Sequence, residues 1–555
     1  MPRPLSGVAD LRAAIAAATT EAAGREGIVP GLDRPRQDGH GDYATNAAMI
    51  LAGTVKRSPR DVAADLAEDL RERLGAGLDR VEIAGPGFLN LFLTDDWYRD
   101  ALDAMGESPD QVGPWGSGGA AAPERVNVEF VSANPTGPLH VGHARNASYG
   151  DALARILSFH GHDVEREYYV NDYGSQIRNL GISIQARARG EEPPEDGYVG
   201  DYVIQLAAGI DDAATRPVDE VAQAGVALML DRLRTSLASM RVEFDTWFSE
   251  KSLHETADEA AQSAVEHAFA ELDARGRTYR SDGALWLRTT EHGDDKDRVL
   301  ERSSGEHTYF ASDIAYHEHK RERGFDRLVY VLGADHHGYV QRMKAAFANF
   351  GGDPERLELL IMQFVHLMRD GKQVSMSKRS GEFVTLDDLV SEVGVDAARW
   401  FLLNRSHDTT VEFDLDLASQ QSSENPVYYV QYAHARVASI LRRAMEESGG
   451  AGTPNVRPGP GTETEPLHAT ERALIQKLQA FPDEVAEAAE RRAPHRIATY
   501  ALELAQAFSA FYRDCQVLGV DDLVVAAFRL QLCGHTRETI ASSLDLLGVS
   551  APAEM

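Results

Sequence analysis

The stretch from Arg125 to Asp151, RVNVEFVSANPTGPLHVGHARNASYGD, changes character twice. Val126, Val128 and Phe130 alternate with polar neighbours in the manner of a strand. Ser132 to Pro138 is loop chemistry: a small polar residue, Asn-Pro, Thr-Gly and a second Pro, none of which favours continuing a strand. From His143 onward, Ala144, Ala147, Ala152, Leu153, Ile156 and Leu157 supply a helical apolar face that Gly161 stops. Strand, loop and helix thus follow in order, with His140 and His143 at the loop-to-helix junction. An anion suits that junction, because the free N–H groups and positive end of the helix face it and Gly142 lets a ligand approach the backbone. His140 and His143 can donate to phosphate oxygens. A bare H-x-x-H says little, since chance, core histidines or zinc account for most such spacings. Its placement after a strand and loop is what points to phosphate.

Composition bounds the rest. A chain of 555 residues has room for three or four domains, each with its own core. No run approaches about 18 apolar residues, and MPRPLSGVADLR lacks an apolar signal core, so a cytoplasmic protein with no membrane segment is expected. Only Cys515 and Cys533 are present, with no C-x-x-C pair, so neither a disulfide framework nor a thiolate zinc site is expected. The net charge of −31, from 56 basic and 87 acidic residues, argues by itself against a nucleic-acid partner. Binding follows the local field at the contact surface, however, and the acidic excess can lie elsewhere.

In chain order, Leu5 to about Tyr98 is a compact unit. Leu11 to Ala23 and Pro59 to Leu74 read as helices, and Val81 to Phe92 as strand around Gly85-Pro86-Gly87. The polar aromatic segment His40 to Asn46 reads as a capping loop before an apolar helix. Gly106 to Pro123 is linker-like. Val164 to Val170 predicts a second parallel strand, ending at Asn171-Asp172-Tyr173-Gly174. Gly181 to about Arg280 reads as a helical, charged insertion, after which the sheet is expected to resume at Ala284 to Leu287. Tyr309 and Asp313 share a face if their segment is helical; on pattern alone they are a surface helix start. Leu328 to Leu332 is a short strand before Gly333-Ala334-Asp335-His336-His337-Gly338, where paired histidines without cysteines or regular ligand spacing do not suggest zinc. Met368 to Gly381 is a basic, small-residue loop, by itself a solvated turn. From about Phe413 the chain is almost wholly helical. Tyr429, Tyr432 and Arg436 share one helix face, by default a core stripe, and Gly449 to Pro466 has the composition of a disordered loop.

ANPTGPLHVGH, Ala133 to His143, resembles the HIGH signature of class I aminoacyl-tRNA synthetases. Glu129, Ser132, Asn134 and the following HARNASYGDALARIL resemble its arginyl-tRNA synthetase form, of the bacterial type, and the likeness continues along nearly the whole chain. Met376, Ser377 and Lys378 resemble the KMSKS signature, with Ser375 in place of its first lysine.

The resemblance implies an α/β class I catalytic domain with a Rossmann-like parallel sheet at about 122–410, its connective insertion at about 181–280. It also implies an α+β tRNA-recognition domain at 1–108 and an all-α anticodon-binding bundle at 411–555. The implied activity is arginine–tRNA ligation through an arginyl-adenylate, with ATP as substrate, Mg2+ carried by ATP, no protein-bound zinc, and tRNA(Arg), L-arginine and ATP as partners of a monomer. Activation of arginine in this family usually needs bound tRNA. For catalysis the resemblance singles out His140, His143 and Lys378. For arginine it singles out Glu129, Ser132, Asn134, His143, Tyr309, Asp313 and His336; a guanidinium is always charged and forked, and a buried carboxylate is its natural receptor. For ATP it adds Gly142, Gly333, Asp335 and Met376, and for tRNA Tyr43, Asn46, Tyr429, Tyr432 and the terminal Met555. A tRNA-binding protein without ligase activity and another adenylate-forming enzyme of the same fold are the rival readings.

Overall fold

Arg125–Phe130 is the middle strand of a five-stranded parallel sheet. The spatial order is Leu357–Met362, Arg327–Gly333, Arg125–Phe130, Asp163–Val170 and Thr246–Ser249. The structure is a computed structural model that describes residues 7–106 except 36 and 38, and 113–256, 262–374, 384–447 and 465–555. The alternation in the middle strand predicts one wet face, yet Asn127 and Glu129 are as buried as Val126 and Val128. Helices cover both faces of such a sheet, so its polar residues need internal partners. Asn127 donates to Glu167 Oε2 at 2.9 Å, and Glu129 accepts from Lys320.

The central helix, Val141–His160, follows the loop and runs through the core with most of its surface covered. Gly150 lets it lie directly on the sheet: a Cβ there would fall 2.1 Å from the Phe130 ring. Two buried charges tie the helix to its surroundings. Arg145 donates to the carbonyls of Gln363, Ser406 and Thr409, at 2.6, 2.8 and 2.8 Å. Asp151 accepts from Arg399 at 2.5 Å, and Arg399 also donates to the carbonyls of Leu547 and Met240.

Two expectations about the insertion need correction. Thr246–Ser249, inside the presumed 181–280 insertion, is the outer strand of the parallel sheet. Ala284–Leu287 does not resume that sheet. It forms a separate antiparallel sheet with Thr278–Ser281 and Arg298–Glu301. Short apolar runs carry no information on which sheet they join, and this pairing is set by neighbours in space.

The N-terminal unit packs helices Val8–Ala23, Ala47–Val55 and Pro59–Leu74 on a four-stranded antiparallel sheet, in which Gly85-Pro86-Gly87 turns Leu78–Ala84 into Phe88–Leu93. Ser58 caps the Pro59 helix by accepting from Asp61 N at 3.2 Å. The described part of the linker is stitched down: Trp115 Nε1 donates to Leu478 O, and Gly118 N and Ala120 N to the carbonyls ending the central helix. Helices Pro426–Glu447, Ala469–Gln479, Phe481–Glu490, His495–Asp514 and Leu523–Leu546 form the C-terminal bundle. The strand Val411–Asp414 pairs parallel with Val365–Arg369, so it belongs with the catalytic side of the chain. The N-terminal unit rests on the bundle through Arg472 to Asp95 and Gln479 to Ala101 O, each at 2.8 Å. Most of the Gly449 to Pro466 loop lies outside the described residues. No described helix is long and apolar enough to cross a membrane.

Candidate active site

The middle strand ends in an unusual turn. Val131 and Ser132 have φ of 67° and 40°, a left-handed conformation that a β-branched residue rarely adopts. The turn brings Ser132 Oγ back onto Glu129 Oε1, to which it donates at 3.1 Å, while accepting from Tyr169 N at 3.1 Å. Asn134 accepts from Asn171 Nδ2 at 2.8 Å, which links the loop to the end of the neighbouring strand.

At the helix junction His140 is the N-cap. Its Nδ1 accepts from Gly142 N at 3.0 Å, and His143 Nδ1 accepts from His140 N at 3.2 Å; the rings stack with centroids 3.7 Å apart. An accepting Nδ1 leaves the proton on Nε2, so both rings present an Nε2–H donor. Burial lowers the pKa of both, and that of His143 to about 3, with the neighbouring ring adding to the shift. Phosphate here would meet neutral N–H donors and the end of a helix. The junction is held from outside by Val141 N to Val384 O at 3.3 Å and Leu386 N to Leu139 O at 2.8 Å. Met376 and Lys378 lie outside the described residues.

Beside the junction is a cavity of about 180 Å³ whose lining includes Glu129, Ser132, Asn171, Asp313, Gly333 and His336. The helix Tyr309–Glu322 supplies its charged wall, because Asp313, Tyr316, His317 and Lys320 at i, i+3, i+4 and i+7 share a face. Asp313 accepts a hydrogen bond from the Tyr339 hydroxyl. Burial raises the Asp313 carboxyl to about 6; the Tyr339 bond opposes this and the nearby Glu129 charge adds to it. His336 packs edge-on to Tyr339 with centroids 6.1 Å apart, and Asp335 is exposed beside it.

Tyr309 is not in the cavity. It is 71% exposed, since it starts the helix one turn, about 6 Å, before Asp313 and clears the cavity rim. The aromatic lining comes instead from Tyr169, Tyr316, Tyr330 and Tyr339. Of the two carboxylates that the resemblance singles out for arginine, Glu129 and Asp313, the first already holds Lys320 Nζ at 2.6 Å. Sequence reasoning missed Lys320 and Tyr316. Their helical spacing from Asp313 was the available signal.

The match to family models covers all three parts of the chain: the arginyl tRNA synthetase N-terminal domain at 9–93, the class I (R) tRNA synthetase catalytic domain at 118–195 and 201–438, and the DALR anticodon binding domain at 430–555. The chain belongs to the arginyl-tRNA synthetase family. It is 46% identical over 539 residues to an arginine–tRNA ligase of Shouchella clausii, covering 94% of each chain. An arginine–tRNA ligase of Desulfosudis oleivorans is 45% identical over 538 residues, with the same 94% of each. The fold is that of the Thermus thermophilus arginyl-tRNA synthetase structure, at a TM-score of 0.75 and 24% identity, over 98% of this chain and 100% of that one.

The other synthetase candidates sort by exposure. Tyr43 is 4% exposed and packs edge-on to Trp97, so its ring is core and not a platform for a base. Asn46 Oδ1 accepts from Gly31 N at 2.9 Å and holds the preceding loop. Both serve the fold, but not as the capping loop expected at His40 to Asn46: Tyr43–Thr45 is a strand paired with Phe88–Leu93, and Asn46 makes no side-chain cap bond to the helix after it. In the bundle, Tyr432 is 40% exposed, stacks with Tyr428 at 6.3 Å, and lies under the Arg436 guanidinium at 4.7 Å. Tyr432, Arg436, Arg442, Arg443, Tyr512 and Met555 line one open cavity. Tyr429 turns aside, donating to Ser509 Oγ at 2.9 Å.

Proposed function

We propose that the chain joins L-arginine to tRNA(Arg) using ATP, with the cavity beside the central helix as its arginine pocket. The observation that carries this is Asp313: a half-buried carboxylate in the wall of a cavity, bonded to a tyrosine hydroxyl and, among the described residues, with no cationic side chain at ion-pair distance, Arg342 acting on it only from farther off. A guanidinium supplies the missing charge and the fork of donors. Glu129 and Ser132 then face the amino acid from the strand end, with Asn134 and His143 toward its backbone end and His336 across the cavity.

ATP is assigned to the helix junction. The positive end of the helix and the Nε2–H of His143, with His140 stacked beside it, face the phosphates, and Gly333 and Asp335 take the nucleoside side. The arginine carboxylate attacks the α-phosphorus, the bond to pyrophosphate breaks, and a hydroxyl of the terminal ribose of tRNA then attacks the acyl carbon, releasing AMP. Side chains need move few protons. Catalysis comes from alignment and from donors already in place where phosphate charge develops. Met376 and Lys378, by resemblance, bring the late loop onto the pyrophosphate.

Magnesium is assigned to the ATP phosphates and enters as part of that substrate. Burial pushes the Cys533 thiol up to about 12, which keeps it protonated and poorly suited to zinc, and neither cysteine is given a metal role. Domain limits of 1–108 and 122 to about 414, with the bundle following the strand Val411–Asp414, a monomeric state and a cytoplasmic location complete the proposal. Tyr432 and Met555, with Tyr429 at the margin, are assigned to the anticodon. Arginine activation is expected to wait for tRNA, and arginine-dependent pyrophosphate exchange without tRNA would contradict that. The deciding experiment is attachment of labelled arginine to bulk tRNA with ATP. Success separates this reading from a tRNA-binding protein without ligase activity and from other adenylate-forming enzymes; no charged tRNA would overturn it.

A further inference from the structure

Lys320 is fully buried at the far end of the face that carries Asp313. Its Nζ lies 2.6 Å from Glu129 Oε2 and 3.9 Å from Glu167 Oε1, with the rings of Tyr330 and Tyr316 at 4.2 and 4.4 Å. A buried ammonium is costly unless paired, so this arrangement calls for a reason beyond packing. The charges around it can be assigned. Glu167 is matched by Arg323 Nη1 at 2.7 Å and accepts from Tyr316 and Asn127. His317 is buried and its pKa falls to about 3, so it is neutral. Glu250, behind Ser312, is raised by burial to about 7 and carries a partial charge at neutral pH. Arg342 lies over the rings of Tyr339 and Phe310; it favours the Asp313 carboxylate from a distance but makes no ion pair with it among the described residues. Two carboxylates line the cavity, Glu129 and Asp313, and Lys320 is matched to the first.

We infer that Lys320 is a positioning residue that sets the charge of the arginine pocket: held against Glu129, it leaves Asp313 as the carboxylate that needs a cation from the substrate. The pocket then accepts a side chain with one positive charge and resists a neutral one of the same shape, whose entry would shut Asp313 off from water with no cation in contact. Glu129 keeps its acceptor oxygens in place without presenting a second uncompensated charge. This rests on the pocket reading above.

The test is a charge-neutralisation cycle in the full chain, reading KM for arginine, KM for ATP and kcat in tRNA charging, with circular dichroism to confirm folding. Glu129→Gln leaves Lys320 unmatched in a pocket meant for a cation. Arginine KM is expected to rise roughly 100-fold, as when one partner of a buried pair is removed. Adding Lys320→Met removes the surplus charge. The double variant should recover most of that loss, to within about tenfold of the parent, as expected if what remains is one charge-assisted contact, with ATP KM little changed throughout. A double variant no better than Glu129→Gln overturns the inference. So does a double variant that fails to fold where Glu129→Gln folds, because Lys320 then serves the fold. Asp313→Asn separates the two levels: if it leaves arginine KM unchanged, the pocket reading itself fails; if it raises KM but the double variant shows no recovery, the inference about Lys320 alone fails.

Discussion

The arginine pocket and the cavity at the end of the C-terminal bundle solve opposite problems. In and behind the proposed pocket the buried carboxylates are matched in advance, Glu129 to Lys320 and Glu167 to Arg323, and Asp313 is the one proposed to meet the ligand. In the bundle cavity Tyr432 and Met555 are 40% and 52% exposed, and the Arg442 ion pair to Glu554 is open to solvent. A small ligand with a fixed charge rewards a dry, preset counter-charge, because buried pairs are little screened by salt. A long polyanion is met by wet arginines and aromatic faces, whose attraction weakens as salt rises. On the proposed reading the acidic net charge is no obstacle to tRNA, because Arg436, Arg442 and Arg443 are grouped at one cavity.

The contrast can be broken at several points. The largest expected effect is on turnover. Lys378→Ala should lower kcat roughly 100-fold, the range seen when one preorganised donor is deleted, with KM for tRNA unchanged. Lys372→Ala, on the exposed strand before the loop, is the mild control, and the reverse pattern would transfer the role to Lys372. Asp313→Asn should raise arginine KM about tenfold or more, since a lost charge-assisted bond costs about 1.5–3 kcal/mol, again without touching tRNA. The same group predicts a pH limb. As pH falls through about 6, Asp313 gains a proton in the free protein, and kcat/KM for arginine should fall about tenfold per unit below that. The ligand guanidinium does not titrate there, and His143, lowered to about 3 by burial, stays neutral through that range. Tyr432→Ala should raise tRNA KM about fivefold, the weak end of the stacking range, because Tyr428 and Arg436 remain. Arginine and ATP KM should hold; if they move with it, the two sites are not separable. The smallest effect is expected from Tyr43→Phe, whose ring stays in the core: tRNA KM within about twofold of the parent, as for a surface-neutral change. A large rise there would restore Tyr43 as a contact.

Much of this was legible in the chain. Val126 to Gly161 gave strand, loop and helix in the right places, and the Pro59 helix begins and ends where its cap and periodicity predict. Which sheet a short strand joins was not legible, because Thr246–Ser249 and Ala284–Leu287 are both four-residue runs whose pairing depends on distant segments. At the site, the residues tied to a backbone feature were well placed: Ser132 by its turn, His140 and His143 by the helix end. Tyr309 and Tyr43 were misjudged because a motif gives spacing but not depth. Lys320 was overlooked because a lone lysine in a charged helix reads as solvent-facing until its partners on other elements are known.

The central helix carries a practical consequence for anyone who would cut this protein apart. Tyr149 donates to Arg492 O, Asp151 reaches through Arg399 to Leu547 O, and Arg155 meets Asp545. A fragment ending near residue 410 would strip the bundle from the flank of the helix whose first turn holds His140 and His143. Chimeras that exchange anticodon modules between relatives should therefore transplant the matching helix surface as well. A graft that ignores it should charge tRNA poorly even where its new module binds well.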